Sequence, residues 1–153
     1  PDAGGIPNEI VVHRAIYAKT NGLAIVHTHS VHAAALACLR RELPAFHYMV
    51  ALAGGDNVPC VPYHLFGTEA LSAAVARALH DRDACLMANH GLVAAGDSIA
   101  RAMKVAQEIE SLCEVCTMPR PRRAAPKPDC LDRSALKPPI ARRLGNLARP
   151  QRP

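Results

Sequence analysis

The chain has 153 residues, of which half are hydrophobic, only 3% are aromatic and none is Trp. This length suits one domain with a hydrophobic core and is too short for two. No apolar run approaches the roughly eighteen residues that cross a membrane. The first residues, "PDAGGIPNE", lack the basic and apolar regions of a signal peptide. The composition therefore predicts one domain, with a core built mainly from Ala, Val, Leu and Ile.

The net charge of +5 is unevenly distributed along the chain. Residues 117–153 contain ten Arg and Lys but two Asp, together with eight of the thirteen prolines, whereas residues 1–116 contain eight basic and eleven acidic side chains. A segment so rich in Arg and Pro cannot bury enough apolar surface to offset its loss of conformational entropy. We expect residues 1–116 to form the domain and residues 117–153 to be a disordered tail.

Two other origins of the basic tail stay open. An arm that binds nucleic acid would have a similar charge, although this tail has no aromatic side chain for base stacking and no recognisable motif. Translation out of frame would also give such a segment, which peptide mapping against the coding frame would test. We regard nucleic-acid binding as the weaker interpretation.

The predicted elements of the first half alternate between helix and strand. The stretch "EIVVHRAIYAK" (9–19) has helical spacing, and "GLAIVH" (22–27) is a short apolar run typical of a buried strand. The stretch "SVHAAALACLRREL" (30–43) returns to helical spacing, with Ser30 able to cap its first turn and Pro44 after its end.

The second half continues the alternation after a Gly- and Pro-rich stretch with room for one short strand. A helix is predicted for "TEALSAAVARALHDRD" (68–83), opened by Thr68. The stretch "ACLMANHGLVAAG" (84–96) splits at His90-Gly91 into two strands, and a long amphipathic helix over 97–116 begins at Asp97 or Ser98. Alternating strands and helices predict an α/β fold, a layered sheet flanked by helices.

Three histidines lie at the ends of two apolar segments, in "HTHS" (27–30) and "ANHGL" (88–92). Residues i and i+2 of a strand share one face, so His27 and His29 would point the same way. A catalytic zinc site takes three protein ligands and keeps one position open. His90 is the best third candidate, because it also ends an apolar strand and Gly91 lets the chain turn without obstructing the site. An HxH pair taken alone is more often a pair of exposed or capping histidines.

The other histidines and the six cysteines favour structural interpretations. We expect His32 and His80 to be solvated on helices, His64 to lie in a loop and His13 to hydrogen-bond within the core, whereas His47 lies beside a tyrosine. The cysteines are scattered through apolar and helical contexts, which favours buried free thiols in a cytoplasmic protein. Cys113-x-x-Cys116 has no second pair, so a redox or metal role for it is disfavoured.

Four linked motifs resemble the class II aldolase/adducin family, and within it the branch of the L-fuculose-1-phosphate aldolases. They are "NEIVVHRAIY", "AIVHTHSVHAAALA", "LPAFHYMVALAGGDNVPCVPYHLFGT" and "ANHGLVAAG", which occur in the family's order from about Glu9 to Cys116. The resemblance implies a Zn²⁺ cofactor held by His27, His29 and His90. It also implies that Glu9 is the catalytic base, that Tyr48 supplies a proton, and that the protein is a homotetramer with active sites between subunits.

The implied reaction is cleavage of a ketose 1-phosphate to dihydroxyacetone phosphate and a hydroxyaldehyde. A divalent cation stabilises the negative charge that develops on the enediolate, and a carboxylate near it can accept and return a proton. The "FHYM" context favours an aldolase over an epimerase. A sugar-phosphate 4-epimerase, a methylthioribulose-phosphate dehydratase and a non-catalytic adducin-like scaffold stay as alternatives.

The chain departs from the family's pattern at its phosphate site and at its C-terminus, where the Arg/Pro tail replaces the family's last segment. Pro7 and Asn8 occupy the positions of a serine pair, and proline offers neither a hydroxyl nor an N–H group. Asn8 could still donate one hydrogen bond to phosphate. The family's upstream phosphate-binding segments have no counterpart, so we expect an N-terminally incomplete chain that retains the metal site but not the family's phosphate site.

Overall fold

Helices and strands alternate along residues 10–19 and 24–118, which the computed structural model describes. The elements are α1 (Ile10–Lys19), β1 (Ala24–Thr28), α2 (Val31–Cys38), a 3₁₀ helix (Tyr48–Ala53), β2 (Cys60–Val61), α3 (Glu69–Ala78), β3 (Ala84–Met87), β4 (Gly91–Gly96) and α4 (Ile99–Thr117). The predicted α/β fold, a layered sheet flanked by helices, is confirmed. In these two ranges no helix is both long and apolar enough to cross a lipid bilayer. The predicted tail, apart from its first two residues, lies outside them.

The four strands form one mixed sheet in the order β1-β4-β3-β2. Strand β4 is antiparallel to both its neighbours, β1 and β3, whereas β2 and β3 are parallel. Thr28 at the end of β1 pairs with Leu92, and Met87 at the end of β3 pairs with Gly91 across the turn into β4. The ends of β1 and β3 and the start of β4 therefore meet at the same end of the sheet.

Each face of the sheet has its own apolar cluster. Leu86 and Leu92 pack with α2, α4 and the 3₁₀ helix, on a side that we call the α2/α4 face. Met87 and Val93, their neighbours along the same strands, pack with α1 and α3 on the opposite α1/α3 face. This division follows from the alternation of side chains along a strand.

Two of the predicted helix starts are capped as the sequence indicates. The Thr68 hydroxyl accepts a hydrogen bond from the backbone N–H of Leu71 at 3.3 Å, at the start of α3. The Ser98 hydroxyl accepts one from the N–H of Arg101 at 3.3 Å, at the start of α4. Ser98, rather than Asp97, is therefore the N-cap of α4, and each hydroxyl satisfies one of the backbone donors left over in a first helical turn.

Helix α2 differs from its prediction at both ends. Ser30 occupies the N-cap position, but its side chain makes no capping hydrogen bond to the helix backbone. The helix ends at Cys38 instead of continuing to Leu43, because Arg40 adopts a left-handed conformation with φ of 54°. Leu43 instead forms a two-bond bridge with Val58, at 3.0 and 2.9 Å. Backbone pairing outside the helix thus overrides the helical spacing of "LRREL".

The cysteines of the described part are all free thiols, at positions 38, 60, 85, 113 and 116. Burial raises the pKa of Cys85 and that of Cys113 to about 12. A thiol must ionise to act as a nucleophile or a metal ligand. Cys113 of the Cys113-x-x-Cys116 pair is therefore an unreactive core residue.

Candidate metal centre

His27, His29 and His90 converge at the end of the sheet where β1 stops and β4 starts; we call them the histidine triad. Their ring centroids are 4.8 to 4.9 Å apart, and one ring nitrogen from each lies within 4.8 Å of the others. His27 and His90 are half-buried, whereas His29 is exposed. A cluster with one open side could hold a cation and still admit a further ligand.

The hydrogen bond of His27 determines which of its nitrogens can bind a metal. Its Nδ1 lies 2.9 Å from the carbonyl oxygen of Leu92, which can only accept, so Nδ1 carries the proton in a neutral ring. Nε2 is then the nitrogen whose lone pair can bind a metal. A ring that donates its other N–H to a carbonyl in this way has the fixed orientation and tautomer typical of a metal-binding histidine.

The Nε2 atoms of His27 and His29 lie 3.1 Å apart. Two nitrogens at tetrahedral positions about 2.05 Å from one zinc ion would be about 3.3 Å apart. The observed separation is therefore close to that of a chelating pair. The donor set, three imidazoles with one of them fixed in its tautomer, fits a zinc ion.

His29 does not lie in the strand, contrary to the argument from residues i and i+2. Strand β1 ends at Thr28, and His29 is the first residue of the short connection to α2. The two rings nevertheless approach each other, because the chain continues past the last strand pair before it turns into the helix. The direction of the His29 side chain thus depends on the backbone conformation of the connection between β1 and α2.

A turn over residues 88–90 presents His90. The left-handed conformation occurs at Asn89, with φ of 56°, and not at Gly91, where the sequence predicted conformational freedom. Gly91 is required for another reason. A methyl group there would overlap the carbonyl oxygen of Thr28 and lie 3.0 Å from Cδ2 of His29. Its missing side chain therefore allows the start of β4 to pack closely against the end of β1.

A cavity of about 10 Å³ lies beside the triad on the α1/α3 face, room for about one water molecule. It is lined by Val12, His13, His27, Met87, His90 and Val93. His13 of α1 is half-buried in its wall. The triad is thus backed by helix α1 and by apolar side chains.

Three other histidines of the described part have contacts away from the triad. The exposed His80 ring lies 2.9 Å from a carboxylate oxygen of Asp81, and the His32 ring lies 3.9 Å from one of Glu114. Nδ1 of His47 accepts a hydrogen bond from the N–H of Met49 at 3.2 Å and so caps the 3₁₀ helix. His47 is thus the N-cap residue of the 3₁₀ helix.

Of the other predicted site residues, Tyr48 alone lies in the described part of the chain. Tyr48 begins the 3₁₀ helix, is 67% exposed, and has its ring against that of His47, with 4.7 Å between centroids. Glu9 and Asn8 lie outside the described residues. The roles expected for Glu9, Asn8 and Tyr48 stay predictions.

Sequence reasoning missed Glu110, an acidic side chain of α4 that caps α2. Its two carboxylate oxygens accept hydrogen bonds of 2.8 Å each from the backbone N–H groups of His32 and Ala33. Burial alone would raise the pKa of Glu110, but these bonds, a hydrogen bond with the Ser30 side chain and the nearby His32 together lower it. Because the partners are 77 and 78 residues apart along the chain, no local sequence pattern indicates them.

The model of the family described as "Class II Aldolase and Adducin N-terminal domain" matches residues 2–117. This match covers about three quarters of the chain. The chain belongs to the class II aldolase/adducin family. The resemblance inferred from the sequence motifs is confirmed.

Relatives within the class II aldolase/adducin family include named aldolases. The chain is 42% identical over 116 residues to the L-fuculose phosphate aldolase of Escherichia coli K12, an alignment that covers 74% of this chain and 54% of that one. It is 48% identical over 91 residues to a 5-methylthioribulose-1-phosphate/5-deoxyribulose-1-phosphate aldolase of Rhodospirillum rubrum, covering 60% and 41%. The chain thus spans about half the length of these relatives.

Solved structures of class II aldolases have the same fold. An L-fuculose 1-phosphate aldolase superposes with a TM-score of 0.67 at 36% identity, covering 71% of this chain and 51% of the other. The L-fuculose-1-phosphate aldolase of Thermus thermophilus gives 0.66 at 28% identity, covering 76% and 65%. The four-stranded sheet and its helices are therefore those of the family.

Proposed function

We propose that this protein is a zinc-dependent class II aldolase that cleaves a ketose 1-phosphate, of the L-fuculose 1-phosphate type, to dihydroxyacetone phosphate and a hydroxyaldehyde. The observation that carries the proposal is the convergence of three histidine ring nitrogens within 4.8 Å in a chain of this family. Identity of 42% to an L-fuculose phosphate aldolase supports the choice of substrate class.

In this proposal the triad holds the zinc ion, which when bound would stabilise negative charge on the cleaved sugar. Each histidine has a separate part. His27 is oriented through its Nδ1–H bond to Leu92, His90 is carried by the turn between β3 and β4, and exposed His29 borders the open side. Three neutral ligands would leave the ion its full double positive charge, which suits the stabilisation of an enediolate.

Acid–base roles are proposed for Glu9 and Tyr48, and a phosphate contact for Asn8. Glu9 directly precedes α1 in sequence, and α1 contributes Val12 and His13 to the cavity beside His27. A carboxylate there would accept a proton from the substrate and return it. Tyr48, with its exposed ring, would supply the proton that the enediolate carbon gains, and the proton held by the carboxylate would then restore the tyrosine. Asn8 would donate one hydrogen bond to phosphate.

Homotetramer formation is part of the proposal, because Tyr48 is largely exposed in the single chain. An exposed tyrosine can reach a substrate bound by a neighbouring subunit, as expected for active sites at subunit interfaces. We further propose that the enzyme is cytoplasmic, in keeping with free thiols at all five described cysteines.

A second candidate substrate is a 5-deoxy or 5-methylthio ketose 1-phosphate. The relative from Rhodospirillum rubrum, named for those two substrates, is 48% identical to this chain over its matched region. The retro-aldol chemistry is the same and only the aldehyde product changes. The two candidates therefore differ in the part of the site that accommodates the far end of the sugar.

The first test is the zinc content of the purified 153-residue chain, measured by elemental analysis beside His90→Ala and His80→Ala. We expect about one zinc per chain, lost in His90→Ala. His80→Ala is the matched control, because this exposed histidine contacts only Asp81 among the contacts described above, and it should keep the metal. A folded wild-type chain without zinc would contradict the proposed site.

The second test separates the substrates. Dihydroxyacetone phosphate released from L-fuculose 1-phosphate and from 5-deoxyribulose 1-phosphate would be measured with the zinc-loaded chain. Faster release from the first supports the main proposal, and faster release from the second supports the alternative. Zinc binding without release from either would refute aldolase activity of this chain while leaving the metal site intact.

A further inference from the structure

Glu110 links helix α4 to the residues that directly follow the metal-binding motif. One carboxylate oxygen accepts the N–H of His32 and the other that of Ala33, both at 2.8 Å. Ser30 lies close enough to this carboxylate to lower its pKa, and its hydroxyl oxygen accepts from the Thr28 hydroxyl at 3.3 Å. Glu110 therefore binds the backbone directly after His29 and lies near the Ser30–Thr28 contact that spans it.

This carboxylate performs the capping that Ser30 does not. The first N–H groups of a helix need external acceptors, and the Ser30 side chain provides none to α2. A negative charge at a helix N-terminus also interacts favourably with the helix dipole. Glu110 thus holds the start of α2 from another element of the fold.

His29 lies in the connection between β1 and α2, which we call the joint. The Glu110 carboxylate stabilises this joint. On its N-terminal side the backbone is fixed by the last pair of β1 and β4, Thr28 with Leu92. On its C-terminal side the start of α2 is held by Glu110. Since His29 is exposed, we expect its Nε2–Nε2 separation of 3.1 Å from His27 to depend strongly on the backbone of the joint.

We infer that Glu110 is a positioning residue for the metal ligand His29. It fixes the joint between β1 and α2, and thereby the spacing of the two imidazoles, without touching the ion. The inference rests on the proposed zinc site. A carboxylate with only a structural role would stabilise the fold but leave the zinc affinity of folded molecules unchanged.

The test compares the 153-residue wild type with Glu110→Ala, Glu110→Gln and Glu114→Ala. Circular dichroism checks folding, and competition with a chromophoric chelator gives the zinc dissociation constant. We expect Glu110→Ala to weaken zinc binding roughly ten-fold or more, the effect typical of residues that orient metal ligands. Glu110→Gln should regain part of that loss, because its amide oxygen can accept one of the two N–H groups.

Glu114→Ala is the matched control. It removes the same charge one turn further along α4, where the carboxylate is exposed and 3.9 Å from His32, and its zinc affinity should equal that of the wild type. The visible absorption of bound Co²⁺ gives a second readout, because it reports the ligand geometry directly. We expect altered Co²⁺ bands for Glu110→Ala and unchanged bands for Glu114→Ala.

Folded Glu110→Ala with wild-type zinc affinity and Co²⁺ bands would overturn the inference and leave the proposed function standing. If Glu110→Ala does not fold, Glu110→Gln decides: weakened zinc binding supports the inference, and unchanged binding overturns it. A folded wild-type chain that binds no zinc would overturn the proposed function together with the inference.

Discussion

Helices cover both faces of the sheet, but the two faces contribute differently to the histidine triad. On the α1/α3 face, Met87 and Val93 line the cavity beside His27 and His90. On the α2/α4 face the same two strands place Leu86 and Leu92 in an apolar cluster. The rings of His27 and His90 therefore border the α1/α3 face, whereas an apolar core lies on the opposite side of the sheet.

The backbone that carries the triad is nevertheless anchored from the α2/α4 face. Glu110 caps α2 next to His29, and the N–H of Asn89, next to His90, donates to the carbonyl oxygen of Ala37 in α2 at 3.2 Å. His27 and His90 border one face, whereas the backbone next to His29 and His90 is held from the other. Fold stability and metal geometry should consequently respond differently to changes on the two faces.

The largest expected effect on stability comes from truncating a core residue behind the triad. Leu86 has no exposed surface, and Leu86→Ala should lower the free energy of unfolding by about 3 kcal/mol, because it leaves a cavity. Its neighbour Met87, on the other face, is the matched comparison. Urea unfolding and zinc titration of both variants would test the difference between the faces.

We expect Leu86→Ala to bind zinc as tightly as the wild type once it is folded. Met87→Ala should bind zinc less tightly, since it enlarges the cavity beside His27 and His90. Equal zinc affinities for the two variants would contradict the division of roles between the faces. If Leu86→Ala does not fold, Leu86→Val offers a smaller truncation at the same position.

A somewhat smaller effect is expected for Gly91→Ala, at the junction of β1 and β4. The added methyl group would overlap the Thr28 carbonyl oxygen and crowd His29, so the strands must separate at a cost of about 2 kcal/mol. Zinc affinity should fall as well, because the end of β1 before His29 and the start of β4 after His90 would both shift. Gly96→Ala, at the far end of β4, is the control, because it should change stability without changing zinc affinity. A weaker zinc affinity of Gly96→Ala would argue against crowding beside His29 as the cause.

The smallest of the three effects is expected at Asn89. Its φ of 56° is unfavourable for an ordinary side chain, and Asn89→Ala should cost about 1 kcal/mol. Asn89→Gly adopts the same conformation without that cost, so thermal unfolding of the two variants should differ in this direction. Equal stabilities would mean that the turn before His90 tolerates another backbone conformation.

Much of the fold was predictable because its signals are local. The apolar run before His27 and the split at His90-Gly91 predicted strands that the structure contains, and Thr68 and Ser98 cap the helices that follow them. These features depend on residues a few positions apart, where periodicity and capping preferences act. The four motifs are also local patterns, and their resemblance to the family is confirmed by the match of the family model to residues 2–117.

The predictions that were wrong involve partners distant in sequence. Helix α2 stops before "RREL" because Leu43 pairs with Val58, and Ser30 is relieved of its capping role by Glu110. Gly91 does keep the site unobstructed, as predicted, but because of its close approach to Thr28 and His29. Each outcome depends on a neighbour that only the folded chain provides.

The sequence by itself determined the order of strands and helices, the family, and the choice of His27, His29 and His90 as candidate ligands, since spacing and flanking apolar runs are properties of the chain. The tertiary structure decided that β1 lies antiparallel to β4, which brings residues 27 and 90 together. It also decided which groups hold them there. Backbone pairing and the capping of helices satisfy polar groups wherever a partner lies in space, and a linear pattern does not record that partner.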